Sequence, residues 1–136
     1  MADKYHEAIA ASKVSTDDAQ VKAAVEKILG EHLEENRRPE VLKQLLNSID
    51  LTTLKSTDSQ RSVADFTERV NAFENEYGEL PNVAAICVYP NFVPIVRTVL
   101  DVSSVDVCAV SGCFPSAQSF PEVKVAEVGM AVEAGA

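Results

Sequence analysis

The sequence has 136 residues, 46% of them hydrophobic and 24% charged, which suits one folded domain and excludes a disordered chain. Its 21 acidic and 12 basic residues give a formal net charge of -9, so contact with a nucleic-acid backbone would begin from repulsion and no nucleic-acid partner is expected. Apolar runs such as Val83 to Val88 fall far short of the roughly 20 residues that cross a bilayer. The N-terminus carries no signal pattern, so a cytoplasmic protein with no membrane contact is expected.

Residues 1 to 15 hold few large apolar side chains, and Ala10, Ala11 and Ser12 are compatible with a helix that has no fixed packing face; a frayed start is expected. From Asp17 to His32, Val21, Ala24, Val25, Ile28 and Leu29 recur at helical spacing, with Ser15 or Thr16 placed as N-cap. A second helix begins near Pro39, a residue suited to the first helical position, and carries Val41, Leu42, Leu45 and Leu46 on one side.

Beyond residue 47 short apolar runs alternate with helical stretches. Ser48 to Thr52 reads as a strand, and Thr57-Asp58-Ser59-Gln60 has the spacing of a capping box. The helix it opens presents Val63, Phe66, Val70 and Phe73 and stops at Gly78. Val83 to Tyr89 is a second strand, apolar throughout as in a parallel sheet covered by helices. Pro90 ends it, and Phe92, Ile95, Val96 and Val99 make a short helix that holds Pro94 in its first turn. Val105 to Val110 is the third strand. After the loop Ser111 to Ser119, a helix from about Pro121 is expected to bury Val125, Val128, Ala131 and Val132 until Gly135 stops it. Three βα units fit an open three-layer sheet or part of an eightfold barrel of about 250 residues, and periodicity does not choose.

The side chains that could carry chemistry are few. Cys87, Cys108 and Cys113 form an odd set without CxxC spacing or a nearby histidine, which suits free thiols and gives no metal site. Cys108 reads as a buried small hydrophobe. His6 and His32 lack partners at triad or metal spacing and read as exposed helix residues, Arg37-Arg38 beside Glu34 and Glu35 as a charged turn, and Ser111-Gly112-Cys113 is no phosphate-cradling loop.

Three stretches together resemble deoxyribose-phosphate aldolase: Ile49-Asp50-Leu51-Thr52-Thr53-Leu54; Val83 to Pro90 followed by Phe92-Val93-Pro94; and Val110-Ser111-Gly112-Cys113-Phe114-Pro115-Ser116, with Lys124 and Glu127 in the next helix. The likeness spans residues 42 to 136, and residues 1 to 41 read as an N-terminal helical extension. It implies an α/β fold, a partial TIM (β/α)8 barrel of three βα units preceded by N-terminal helices. The implied activity is a class I lyase that cleaves 2-deoxyribose 5-phosphate to acetaldehyde and glyceraldehyde 3-phosphate through a lysine Schiff base, with no metal and no other cofactor. The family's Schiff-base lysine and proton-transferring aspartate belong to later strands. None of Lys4, Lys13, Lys22, Lys27, Lys43, Lys55 and Lys124 matches that lysine, so these 136 residues are expected to be inactive by themselves as a truncated chain.

What the resemblance implies here is one wall of a pocket for a small phosphosugar, formed by Asp50, Thr52, Leu54, Cys87 and Phe114. Read as residues alone, Asp50 is a strand-end capping residue, Cys87 a packed small side chain, and Phe114 a core aromatic under a loop. The reading from another class is a non-catalytic βα module acting in assembly or binding. Three barrel strands leave two unpaired edges and an inward face that reads as mostly apolar, so a homo-oligomer is expected.

Overall fold

The computed structural model describes residues 3–12 and 17–136. They divide into two compact units, residues 1–38 and 39–136. The first unit holds helix α1 (Lys4–Ala11) and helix α2 (Asp18–Asn36). Each starts where an aspartate accepts hydrogen bonds from free backbone N–H groups of the first turn: Asp3 from Tyr5, and Asp17 from Ala19 and Gln20. Asp17 is thus the cap of α2; Ser15 and Thr16 lie outside the described residues. The α2 stripe Val21, Val25, Ile28 and Leu29 is about half exposed. Polar residues beside it pair one turn apart, Lys22 with Glu26 and Lys27 with Glu31. The histidines are not partnerless: His6 Nδ1 lies 2.9 Å from Asp3 and His32 Nδ1 2.7 Å from Glu35, in exposed pairs along their own helices.

The second unit runs α3 (Pro39–Leu46), β1 (Asp50–Thr52), α4 (Gln60–Glu76), β2 (Ala85–Val88), a 3-10 turn (Pro90–Phe92), α5 (Val93–Val99), β3 (Asp106–Ala109) and α6 (Pro121–Glu133). The strands form one sheet in the order β1-β2-β3, all parallel. Helix α4 starts two residues later than the Thr57 box predicts. Asp58 is drawn back into the preceding loop, where its carboxylate accepts from Thr53 Oγ1 and the Lys55 N–H, and Ser59 with Ser62 forms the capping box instead.

Alternation along the strands divides the sheet into two unlike faces. Ile86, Val88 and Val107 point to the helices and join Val63 and Val70 of α4 and Val93 and Val96 of α5 in the core, with Leu51 packed against it. Two buried asparagines close the ends of this layer. Asn71 donates to the Val99 carbonyl at 2.8 Å and accepts from the Asp101 N–H at 3.0 Å, while Asn82 donates to the Val70 carbonyl at 3.1 Å and accepts from the Val83 N–H. Among the described residues every buried side-chain nitrogen and oxygen has a hydrogen-bond partner.

Residues of opposite parity occupy the other face, and it is not the apolar surface expected. Register sets Asp50 beside Ala85 and Ala85 beside Asp106; one layer on, Thr52 pairs with Cys87 and Cys87 with Cys108. The apolar β-branched residues that dominate the strand sequences are those turned to the helices.

Helix α6 does not bury the face expected of it. Among its apolar residues Ala131 is buried, whereas Val125, Val128 and Val132 are 72%, 45% and 62% exposed. The chain is instead anchored just past the C-terminus of the helix. Gly135, with φ of 108°, turns the chain so that its carbonyl accepts from Arg97 Nε at 2.7 Å, and a Cβ there would meet the Arg97 side chain at 3.0 Å.

Candidate functional site

The polar face of the sheet carries most of the residues singled out in the sequence. Thr52 closes β1, the strand end where parallel βα folds build their sites. Asp50 does not share that end: it opens the three-residue strand, one layer deeper, and points to the same side. The Thr52 hydroxyl donates back to the Asp50 carbonyl at 2.9 Å, which ties the two layers together. Both side chains are exposed. Thr52 also borders a cleft of about 360 Å³ between the β1 loop and α4, with Lys55, Asp58, Ser62 and Arg69 on its walls.

Cys87 occupies the middle strand and is buried, with 4% of its surface accessible. Its thiol is pushed up from 9.0 to about 11, first by burial and then by the neighbouring Cys108 and the Asp50 carboxylate; a hydrogen bond with Thr52 acts weakly the other way. At neutral pH Cys87 is therefore a protonated thiol and a slow nucleophile. Cys108, expected to be a buried small hydrophobe, is half-buried directly beside it. The Asp50 carboxylate and the two sulfurs lie within 4.8 Å of one another. Spacing along the chain gives no sign of this cluster. The signal is register: the same alternate position recurs in three consecutive parallel strands.

The remaining two residues sit in loops. Leu54 is half-buried in the loop after β1, beyond Thr53, whose buried hydroxyl donates to both oxygens of Asp58 at 3.1 and 2.9 Å. Phe114 is 48% exposed in the loop after β3. That loop is held from α6, because the Cys113 N–H donates to Glu127 Oε2 at 2.9 Å. Cys113 itself has φ of 61°, a left-handed conformation unusual for a residue with a Cβ. The structure thus gathers Asp50, Thr52 and Cys87 on one face and leaves Leu54 and Phe114 on the loops above the strand ends. Lys4, Lys22, Lys27, Lys43 and Lys124 are on helices and Lys55 is in a loop, so none of the described lysines is on a strand.

No family model matches the chain. Over 93 residues it is 37% identical to a deoxyribose-phosphate aldolase of Treponema denticola, a match that takes in 68% of this chain and 39% of that protein. Among solved structures, a Coccidioides immitis chain described as a deoxyribose-phosphate aldolase superposes with a TM-score of 0.56 at 26% identity, covering 69% of this chain and 34% of that one. An aldolase named QR15 superposes with a TM-score of 0.54 at 31% identity, covering 67% and 36%. The chain therefore spans about two fifths of the length of the curated relative it matches. No described helix is long and apolar enough to cross a membrane.

Proposed function

The chain is related to the deoxyribose-phosphate aldolases, and on that footing we propose that its βα unit supplies one wall of an aldolase active site. The reaction is the reversible cleavage of 2-deoxy-D-ribose 5-phosphate to acetaldehyde and D-glyceraldehyde 3-phosphate through a lysine Schiff base, as a class I lyase. The observation that carries this reading is the shared polar face: Asp50, Thr52 and Cys87 project from adjacent parallel strands toward one space, and the matched relatives are aldolases.

In this role Asp50 and Thr52 hold hydrogen bonds around the substrate and the lysine amine. An ionised carboxylate next to an amine orients it and stabilises cationic intermediates, while a threonine hydroxyl can both donate and accept. Cys87, a neutral thiol, lines the pocket without competing with the lysine for the aldehyde. Leu54 and Phe114 shield the pocket from the loops. The Schiff-base lysine and the proton-transferring aspartate come from strands beyond these three, so the 136 residues by themselves do not turn over. The protein works in the cytoplasm on a phosphosugar, as a homo-oligomer.

A chimera tests the reading. Residues 42–136 replace the corresponding segment of the Treponema denticola enzyme, and cleavage of deoxyribose 5-phosphate is measured with borohydride trapping of the lysine adduct. Retained cleavage that falls with Asp50→Asn supports the assignment. A folded chimera that traps no adduct refutes it.

A further inference from the structure

We propose that Asp50, Cys87 and Cys108, one residue from each strand of the sheet, form a binding site for a thiophilic divalent cation, zinc or cadmium. The site does not depend on the aldolase reading. Its ligand set comes from geometry: Cys87 and Cys108 are register partners on β2 and β3, Asp50 projects from β1 on the same face, and the three ligand atoms lie within 4.8 Å of one another. Tetrahedral zinc holds sulfur at about 2.3 Å and a carboxylate oxygen at about 2.0–2.2 Å, which sets bound ligand atoms roughly 3.5–4 Å apart. Closing the set on an ion therefore needs the ligand atoms to draw together by about 1 Å.

The chemistry selects the ion. Two sulfurs among three ligands favour a soft or borderline cation over magnesium or calcium, which take all-oxygen ligand sets. Binding is a substitution without redox change: each thiol loses its proton to solvent as its sulfur bonds to the metal, and an oxygen of Asp50 completes the protein ligands. The divalent charge then sits among two thiolates and one carboxylate. Asp50 is exposed and Cys108 half-buried, so the ion has a path in and a fourth position open to water, as in three-ligand zinc sites.

The test is a titration of the reduced, chelator-treated 136-residue protein with cadmium, followed by the ultraviolet sulfur-to-cadmium charge-transfer band. One equivalent should saturate the band. Cys87→Ser and Cys108→Ser should each weaken binding by about 100-fold or more, beyond what partners outside the ligand shell contribute. Asp50→Asn should weaken it about 10-fold, and Cys113→Ser should leave it unchanged. Zinc binding, followed with a chromophoric chelator as competitor, should release about two protons per ion. Circular dichroism checks each variant, and because Asp50 is exposed its variant keeps the test informative should a cysteine variant fail to fold. A band that survives both Cys87→Ser and Cys108→Ser, one that follows Cys113, or affinity unchanged in Asp50→Asn would overturn the site.

Discussion

The Cys113 backbone N–H and the Glu127 carboxylate meet at 2.9 Å, so the loop after β3 is anchored by the helix that follows it. A carboxylate accepting from a backbone N–H is among the stronger hydrogen bonds, worth roughly 1.5–3 kcal/mol, and partial exposure puts this one at the lower end. Glu127→Ala should lower stability by about 1–2 kcal/mol and speed amide exchange at Cys113. Glu127→Gln keeps an acceptor oxygen and should lose less. Equal exchange rates in all three proteins would show that the loop holds its shape without the contact.

The loop after β1 is organised in the same way from within. Thr53 is buried and its hydroxyl meets both oxygens of Asp58, which also accepts from the Lys55 N–H. Thr53→Val keeps the volume and removes the donor, and should cost about 1–2 kcal/mol in urea denaturation. Asp58→Ala removes both contacts and should cost more. The ordering of the two variants is the check, since a simple packing role for Thr53 would make Thr53→Val nearly neutral.

Cys87 gives a pH dependence with a defined sign. Its folded-state value is raised from 9.0 to about 11, so the folded protein holds this proton more tightly than the unfolded chain does. The associated stability is complete below pH 9 and is lost as the pH climbs from about 9 to about 11. Cys87→Ala should flatten that part of the stability curve. At neutral pH, iodoacetamide should modify Cys87 only slowly, and a rate at pH 7 equal to that of a free peptide thiol would contradict the burial.

Much of this fold is legible in the sequence because local signals and burial agree. Pro39 opens α3, Gly78 follows the end of α4, and Val63 and Val70 pack where their spacing puts them. The strands show where periodicity falls short: Ala85–Val88 and Asp106–Ala109 are too brief for alternation to stand out from a continuous apolar run. Periodicity therefore does not assign their faces, and the pairing of Cys87 with Cys108, 21 positions apart, depends on a register that only the sheet supplies. The Thr57 box shows the opposite case, a good local cap signal overridden when Asp58 bonds back to Thr53 and Ser59 takes the cap.

Helix α6 carries the last prediction, that the protein associates with a second copy of itself. Val125, Val128 and Val132 recur at helical spacing, which is the pattern of a buried face, yet each is exposed, as are Val123 and Met130. A stripe of this kind is stabilised by covering it, at about 25 cal/mol for each Å² of apolar surface removed from water. The edge strands β1 and β3 add unpaired backbone groups on either side of the sheet. The net charge of -9 on each copy works against the encounter, and that repulsion reaches only about 10 Å at 0.1 M salt. Association should therefore strengthen with salt, opposite to an interface held by ion pairs. Light scattering across a concentration series should rise above the 14.7 kDa of one chain, and Val128→Glu together with Val132→Lys should return it toward that mass with the helical circular dichroism intact. A mass that stays at one chain in high salt would show that the stripe remains uncovered and that self-association has no part in the protein's behaviour.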